Sequence, residues 1–113
     1  MSADPWSWAE QRRDTELSYR ELSREAGLAP GTRITLDLVF LASETDCDEA
    51  GLVKALKRAG YSVEIDPEDG TVEASVENVP FTVEAIWTHE EKTTRIALPL
   101  GYAPDGWGFF EPG

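Results

Sequence analysis

The chain has 113 residues, 41% hydrophobic and 28% charged, which is typical of one folded domain and excludes extensive disorder. Ten basic and 22 acidic residues give a formal net charge of −12, which repels phosphate backbones, so we expect no direct nucleic-acid binding. The longest apolar run, Leu38–Ala42, is far shorter than the roughly 20 residues of a membrane helix, so we expect no membrane partner.

The remaining global features favour the cytoplasm. The segment Met1–Pro5 has neither a basic start nor an apolar stretch, so we expect no secretory signal. Cys47 is the single cysteine, which excludes an internal disulfide and gives no sign of an oxidising compartment. We therefore expect a cytoplasmic protein.

The first predicted element is a helix over residues 7–26, a stretch without proline or glycine. Ser7 and Glu10 have the spacing of a capping box at its start, and Gly27 ends it. Its apolar positions form only a narrow stripe among charged residues. We therefore expect a surface helix that one face holds to the domain.

A strand and a second helix follow. Alternating apolar residues predict a strand from Ile34 to Leu41 that becomes apolar on both faces toward its end, as in the centre of a sheet. Asp46 and Glu49 have the spacing of another capping box, which predicts a helix that ends at Gly60. The cysteine falls in the first turn of this predicted helix, where the neighbouring carboxylates disfavour a reactive thiolate.

A β-hairpin is the strongest local pattern. Residues 61–66 and 72–77 each alternate apolar and polar side chains, and Pro67–Gly70 between them ends in the Asp-Gly pair typical of turns. The acidic residues of this turn lack the spacing of an EF-hand calcium loop, so turn formation explains them.

The last third of the chain predicts a helix, a turn and a strand. Thr82 as N-cap favours a helix from Val83 to about Leu98, although alternation at its start also fits a strand. Residues 103–106 predict a turn, and residues 107–110 predict a short last strand.

The predicted elements after the first helix follow the order β-α-β-β-α-β. Two right-handed crossovers with a hairpin between them predict an α+β protein, a ferredoxin-like sandwich with an additional N-terminal helix. Its four antiparallel strands would carry two helices on one face and leave the other face open. We assign residues 1–29 to the N-terminal helical segment and 30–113 to the ferredoxin-like domain, together a single domain.

No catalytic, cofactor-binding or metal site is predicted. His89 is the single histidine, so a His-rich metal site cannot form, and no nucleophile elbow accompanies it for a Ser-His-Asp triad. The sequence also lacks a phosphate-binding glycine loop. We therefore expect neither enzymatic activity nor a cofactor.

The candidate site lies on the open face of the predicted sheet. Eight polar residues alternate away from the core on three neighbouring strands, and five of them are acidic. From residue 61 onward, eleven acidic and two basic residues leave a net charge of −9. Such a surface suits a basic protein segment. The predicted partner-binding residues are Asp37, Glu64, Asp66, Glu73 and Glu77.

A family resemblance adds to this interpretation. Residues 105–112 include Asp105, Gly106, Trp107 and Gly108, and they resemble the Asp-Gly-Trp-Gly signature near the C-terminus of the regulator of ribonuclease E activity B family. Residues 10–15 resemble that family's charged first helix, and residues 52–63 resemble its helix running into a Gly-Tyr-x-Val strand. The resemblance implies a ferredoxin-like domain preceded by a helix. It also implies a non-catalytic protein that binds the arginine-rich scaffold region of ribonuclease E and restrains RNA decay.

Two other functions stay open from the sequence. The same charge suits a nucleic-acid mimic or immunity-type protein that inhibits a nuclease by occupying its basic groove. A small-molecule-binding α+β domain is the other alternative, which a pocket lined by aromatic and convergent polar groups would favour. Trp107, between two glycines, is expected to fill a core or groove position.

Overall fold

Three helices and four strands make up the computed structural model, which describes residues 6–110. The prediction about a secretory signal concerns Met1–Pro5, and part of the family resemblance concerns Glu111 and Pro112. Both segments lie outside the described residues. The helices are α1 (Trp8–Ala26), α2 (Glu49–Arg58) and α3 (Val83–Ala97), and a 3-10 turn (Leu98–Leu100) follows α3. The strands are β1 (Arg33–Ala42), β2 (Ser62–Ile65), β3 (Val72–Pro80) and β4 (Tyr102–Phe110).

The strands form one antiparallel sheet in the order β2-β3-β1-β4. β1 therefore lies in the interior, as its apolar far end predicts, while β2 and β4 form the two edges. The α+β class is confirmed, and so are the predicted hairpin between β2 and β3 and the helical prediction for α3. The element order and strand order are compatible with the ferredoxin-like arrangement, which stays a prediction.

The core lies between one face of the sheet and the helices α2 and α3. Alternate residues of β1 supply the sheet side of this core, because successive side chains of a strand point to opposite faces. Leu52 and Leu56 of α2 and Ile86 of α3 cover them and are fully buried. The β1 residues in the core are Ile34, Leu36, Leu38 and Phe40.

α1 packs on α3, so none of the three described helices covers the opposite face of the sheet. Trp8 meets Trp87 edge-to-face, with ring centroids 6.4 Å apart. Tyr19 lies 4.7 Å from Phe81 between ring centroids, and its hydroxyl donates a hydrogen bond to the Phe81 carbonyl at 3.1 Å. Thr15 is the buried residue of α1, so the predicted surface helix held by one face is confirmed.

The predicted cap of the second helix is wrong. Asp48, two residues after Asp46, is the N-cap of α2, and its carboxylate accepts a hydrogen bond from the Gly51 amide at 2.9 Å. Cys47 therefore precedes the helix and does not lie in its first turn. The error arises because several acidic residues near this helix start can all act as caps by local spacing alone.

The predicted turn at residues 103–106 is also wrong. β4 is continuous through this stretch and pairs with β1 along most of its length. Asp105 and Gly106 together stand opposite Val39, which makes a β-bulge, and Gly106 adopts φ +116°. The Asp-Gly pair thus accommodates an extra residue in a strand, with the backbone freedom that a turn would also have required.

Candidate functional site

The sheet face that points away from the helices brings together four of the five predicted partner-binding residues. Asp37 of β1, Glu64 of β2, and Glu73 and Glu77 of β3 line an open depression of about 680 Å³. We call this surface the acidic face. The residues that line it include Thr35, Asp37, Ser62, Glu64, Glu73, Ser75, Glu77 and Phe110.

Strand register places the carboxylates of the acidic face beside one another. Glu64 stands directly opposite Glu73 in the β2-β3 pair, and Asp37 stands opposite Ser75 in the β1-β3 pair. The Ser75 hydroxyl donates a hydrogen bond to Asp37 Oδ1 at 2.5 Å. Asp37 is 7% exposed and forms the floor of the face, whereas Glu64 and Glu77 are exposed and available to a partner.

The acidic face is electrostatically unfavourable in the absence of a cation. Partial burial raises the pKa of Glu73, and the negative charges of Asp37 and Glu64 raise it further. Like charges directly opposite in a sheet destabilise it. Neither lysine nor arginine occurs among the described residues that line the face. A positively charged group bound here would relieve the repulsion.

Asp66 does not belong to the acidic face. Its carboxylate accepts a hydrogen bond from the Glu68 amide at 2.9 Å, and its backbone exchanges hydrogen bonds with Thr71 and Gly70 across the hairpin turn. β2 ends at Ile65, so Asp66 lies past the end of the strand and does not line the depression with the other four carboxylates. Its part in partner binding stays a prediction.

β4 also contributes residues to the acidic face, and this contribution was not among the predictions from the sequence. Gly108 stands opposite Asp37 and Phe110 stands opposite Thr35, so both lie on this face. Phe110 is 66% exposed. A Cβ placed on Gly108 would have nothing within 4 Å, so the surface beside Asp37 is open. The period of two along residues 107–110 could have shown that Gly108 and Phe110 share a face.

A second concave site lies on the helix side of the sheet. Trp107 stands opposite the buried Leu38, so it faces the helices and not the acidic face. It lines a cleft of about 560 Å³ between the start of α1, the middle of α3 and the β4 bulge. We call this site the helix-side cleft. Its lining includes Trp6, Glu10, Asp14, Glu90, Asp105 and Trp107.

The family-signature residues thus divide between two surfaces. Asp105, Gly106 and Trp107 line the helix-side cleft, whereas Gly108 lies beside Asp37 on the acidic face. The prediction that Trp107 fills a core or groove position is confirmed, since it packs against the core and also lines the cleft.

Glu90 is a buried carboxylate in the lining of the helix-side cleft. It is 4% exposed, and the Thr15 hydroxyl donates a hydrogen bond to its Oε2. Burial raises the pKa of Glu90 to about 7; hydrogen bonds from Thr15 and Gln11 oppose that rise, and the charge of Asp14 adds to it. The burial of Glu90 could be predicted from the sequence, because the helical period of α3 places this residue on the inner face of the helix.

The single histidine, His89, lies on α3 and contacts Tyr61, the residue before β2. The Tyr61 hydroxyl and His89 Nδ1 share a hydrogen bond of 2.7 Å. Burial raises the pKa of Tyr61 to about 12 and lowers the pKa of His89, and the charge of Lys92 lowers the latter further. Near neutral pH this pair is therefore uncharged.

Within residues 6–110 the structure contains neither a group of side chains placed to hold a metal ion nor a helix suited to span a membrane. No group of three or more His, Cys, Asp or Glu side chains in this part of the chain is placed to hold a metal ion. None of the helices described there combines the length and apolarity that crossing a bilayer requires.

No protein-family model and no curated protein matches this chain. Function must therefore be inferred from the acidic face and the helix-side cleft.

Proposed function

We propose that the protein is a non-catalytic binding module whose acidic face takes an arginine- or lysine-rich segment of another protein. The arginine-rich region of ribonuclease E is the candidate segment, on the basis of the family resemblance. One observation carries this proposal: Asp37, Glu64, Glu73 and Glu77 are clustered on a sheet surface that none of the helices within residues 6–110 covers.

The chemistry of the acidic face suits a guanidinium-bearing chain. Carboxylates on neighbouring strands can accept paired hydrogen bonds from arginine side chains, and such charge-assisted bonds are among the stronger ones in proteins. A bound cation would also remove the repulsion between Glu64 and Glu73, so part of the binding free energy would come from relieving a strained free state. Phe110 adds exposed apolar surface against which the aliphatic stem of an arginine or lysine can pack.

The net charge of the whole chain supports the same function. A formal charge of −12 attracts a basic segment over a distance of about one Debye length and accelerates encounter. Because this attraction is screened by salt, binding should weaken steeply as ionic strength rises.

The experiment is a titration of a fluorescently labelled arginine-rich peptide from ribonuclease E at low and high salt. We expect the affinity to fall at least roughly tenfold between about 50 and 500 mM salt. The variant Glu64→Lys/Glu73→Lys/Glu77→Lys should lose binding. The matched control is Glu21→Lys/Glu25→Lys/Glu44→Lys, which changes the net charge equally at exposed positions outside the acidic face.

The control variant makes the experiment decisive. If both triple variants lose affinity equally, only the overall charge matters and the acidic face is not a site. An affinity that does not change with salt would also overturn the electrostatic mechanism. Displacement of the protein from a nuclease by RNA would instead favour the nucleic-acid mimic.

A further inference from the structure

We propose that the basic segment binds as an added β-strand, paired with the outer edge of β4 along Trp107–Phe110. This inference rests on the proposed function and specifies how the partner binds: in an extended conformation, with arginine or lysine at every second position. Strand addition to a free sheet edge is a common mode of peptide recognition, in which the main chain supplies hydrogen bonds and alternate side chains supply specificity.

The outer side of β4 is open for pairing. β4 is the last strand in the order β2-β3-β1-β4, and its inner side pairs with β1. Within residues 6–110 no strand pairs with its other side. An edge of this kind presents a row of amides and carbonyls with which a strand from another chain can pair.

The second half of β4 lacks the features with which proteins usually protect a strand edge. Charged side chains, proline and β-bulges are the usual means. Pro104 and the bulge at Asp105 and Gly106 interrupt the first half of the strand. Residues Trp107–Phe110, by contrast, pair regularly with β1 and include neither a charged residue nor a proline. An incoming strand therefore pairs with this second half.

Two aromatic residues hold the second half of β4 in place from its helix side. Trp107 stands opposite the buried Leu38 and packs against the core. Phe109 lies 5.0 Å from Phe81 between ring centroids. The strand is therefore fixed before a partner arrives, so binding requires little further ordering of the protein.

Gly108 gives a side chain from the edge access to the carboxylates. Residues opposite each other in neighbouring strands share a face, so the residue that pairs with Gly108 points over the acidic face. Asp37 stands opposite Gly108 on its inner side, about 10 Å from the added strand, because neighbouring strands lie about 4.8 Å apart. A Cβ on Gly108 would have nothing within 4 Å, so a long arginine side chain has room to lie across this glycine toward Asp37.

The other sheet edge and a second copy of this chain suit the role less well. β2 spans Ser62–Ile65 and carries the charge of Glu64, and charged side chains discourage pairing at an edge. Pairing between two copies would join two acidic faces, which a net charge of −12 on each chain opposes. A basic segment has the opposite charge, so electrostatic complementarity selects it as the occupant.

The experiment titrates the full chain with a blocked peptide that alternates arginine and threonine, a residue that favours strands. The matched control peptide has the same residues with all its arginines consecutive, so its length and charge are equal. In an extended chain only the alternating peptide directs every arginine to one face. We therefore expect it to bind at least roughly fivefold more tightly than the control.

Backbone methylation of the alternating peptide tests strand pairing directly. One version is N-methylated at every arginine amide and the other at every threonine amide. Successive amides of a strand point to opposite sides, so one set faces β4 and the other faces away from it. One version should lose affinity at least roughly tenfold, because its hydrogen bonds to β4 cannot form, and the other should bind like the parent peptide.

Hydrogen exchange measured by NMR locates the added strand on the protein. We expect the amides within Trp107–Phe110 that do not bond to β1 to exchange at least roughly tenfold more slowly in the complex. The amides of Ser62–Ile65, at the other edge, serve as the internal control and should exchange at an unchanged rate.

The outcomes separate this inference from the proposed function. Equal affinities of the two methylated peptides, with binding that still weakens as salt rises, would overturn strand addition and leave the proposed function intact. Failure of every peptide to bind would overturn both. Exchange protection confined to Ser62–Ile65, or a dimer in which two copies pair through β4, would overturn strand addition at this edge.

Discussion

The hydroxyl of Thr15 in α1 donates a hydrogen bond to the buried carboxylate of Glu90 in α3. One turn away, Gln11 Nε2 donates a hydrogen bond of 3.0 Å to Thr94 Oγ1 across the same seam. These polar contacts join the N-terminal helix to the sandwich at the edge of the helix-side cleft. Because Glu90 is buried, its charge state affects how well α1 and α3 pack.

Glu90 makes the stability of the protein depend on pH. Its pKa is about 7 in the folded protein and about 4.5 in an unfolded chain, so the folded state holds the proton more tightly. The stabilisation is fully present below about pH 4 and is lost as the pH rises through about 7, by about 3 kcal/mol in total. Urea denaturation of wild type and Glu90→Gln from about pH 4 to 8 measures it.

The variant separates Glu90 from the general repulsion among the acidic residues. Glu90→Gln keeps an acceptor for Thr15 and cannot ionise, so its loss of stability with pH should be smaller than that of wild type. Glu44→Gln, at an exposed position, should follow the wild-type curve. Parallel curves for Glu90→Gln and wild type would show that Glu90 titrates normally.

The cross-strand pair of Glu64 and Glu73 predicts that a substitution on the acidic face stabilises the fold. Glu64→Gln removes one of two like charges that stand directly opposite each other, so we expect a gain of about 0.5 kcal/mol at neutral pH. The pKa of Glu73 should fall, since the Glu64 charge contributes to raising it. Urea denaturation measures the first effect, and NMR titration of Glu73 measures the second.

Glu68→Gln is the matched control for this prediction. It makes the same charge change on an exposed side chain in the hairpin turn, outside the paired strands. Its effect on stability should be close to zero. Equal gains from both substitutions would mean that net charge, and not the cross-strand contact, determines the effect.

The parts of the fold that the sequence predicts are those with strong local periodicity. The hairpin residues alternate with a period of two on both sides of an Asp-Gly turn, and β2 and β3 pair in the register that this alternation requires. The same alternation predicts the acidic face, since it assigns Asp37, Glu64 and Glu73 to one side before any coordinates are known. The alternation also includes Asp66, which does not line the face, because alternation cannot indicate where a strand ends.

The remaining features depend on contacts between distant segments. An Asp-Gly pair fits a turn or a bulge equally well, and only the pairing of β4 with β1 decides that Asp105 and Gly106 form a bulge. The helix-side cleft is harder still to predict. It combines Trp6, Glu90 and Trp107, which lie in three separate elements, so no motif spacing within the sequence relates them.

Substitution of Gly101 by alanine should destabilise the fold through a steric clash, and the same substitution at Gly70 serves as the comparison. Gly101 ends the 3-10 turn with φ +86°, and a Cβ there would lie 2.8 Å from Cys47 Cα. Gly70 has a similar φ of +75° but nothing within 4 Å of its Cβ position. Gly70→Ala should therefore cost about 1 kcal/mol from backbone conformation alone, whereas Gly101→Ala should cost about 3 kcal/mol because the backbone near Cys47 must also move.

Thermal or urea denaturation of these two variants tests the explanation directly. The difference between them isolates the contact with Cys47, because both substitutions place alanine at positive φ. Equal losses of stability would mean that the segment around Cys47 yields without cost, so that the packing between it and Gly101 does not constrain the fold.

Gly108 offers a way to block the acidic face without disturbing the core. It lies opposite Asp37, its φ is not in the left-handed region, and a Cβ there meets open space. Gly108→Lys should therefore keep the free energy of unfolding within about 0.5 kcal/mol of wild type. The introduced ammonium can pair with the carboxylates beside it, and the affinity for an arginine-rich peptide should fall at least roughly tenfold, because the site then holds its own cation.

Two variants separate occlusion from simpler causes. Gly108→Ala adds a side chain without charge and should bind the peptide like wild type. Thr45→Lys adds the same charge on the exposed loop after β1 and should weaken binding only slightly. If Gly108→Lys and Thr45→Lys lower the peptide affinity by the same amount, the carboxylates around Asp37 are not where the basic segment binds, since a lysine among them would have no more effect than one on a distant loop.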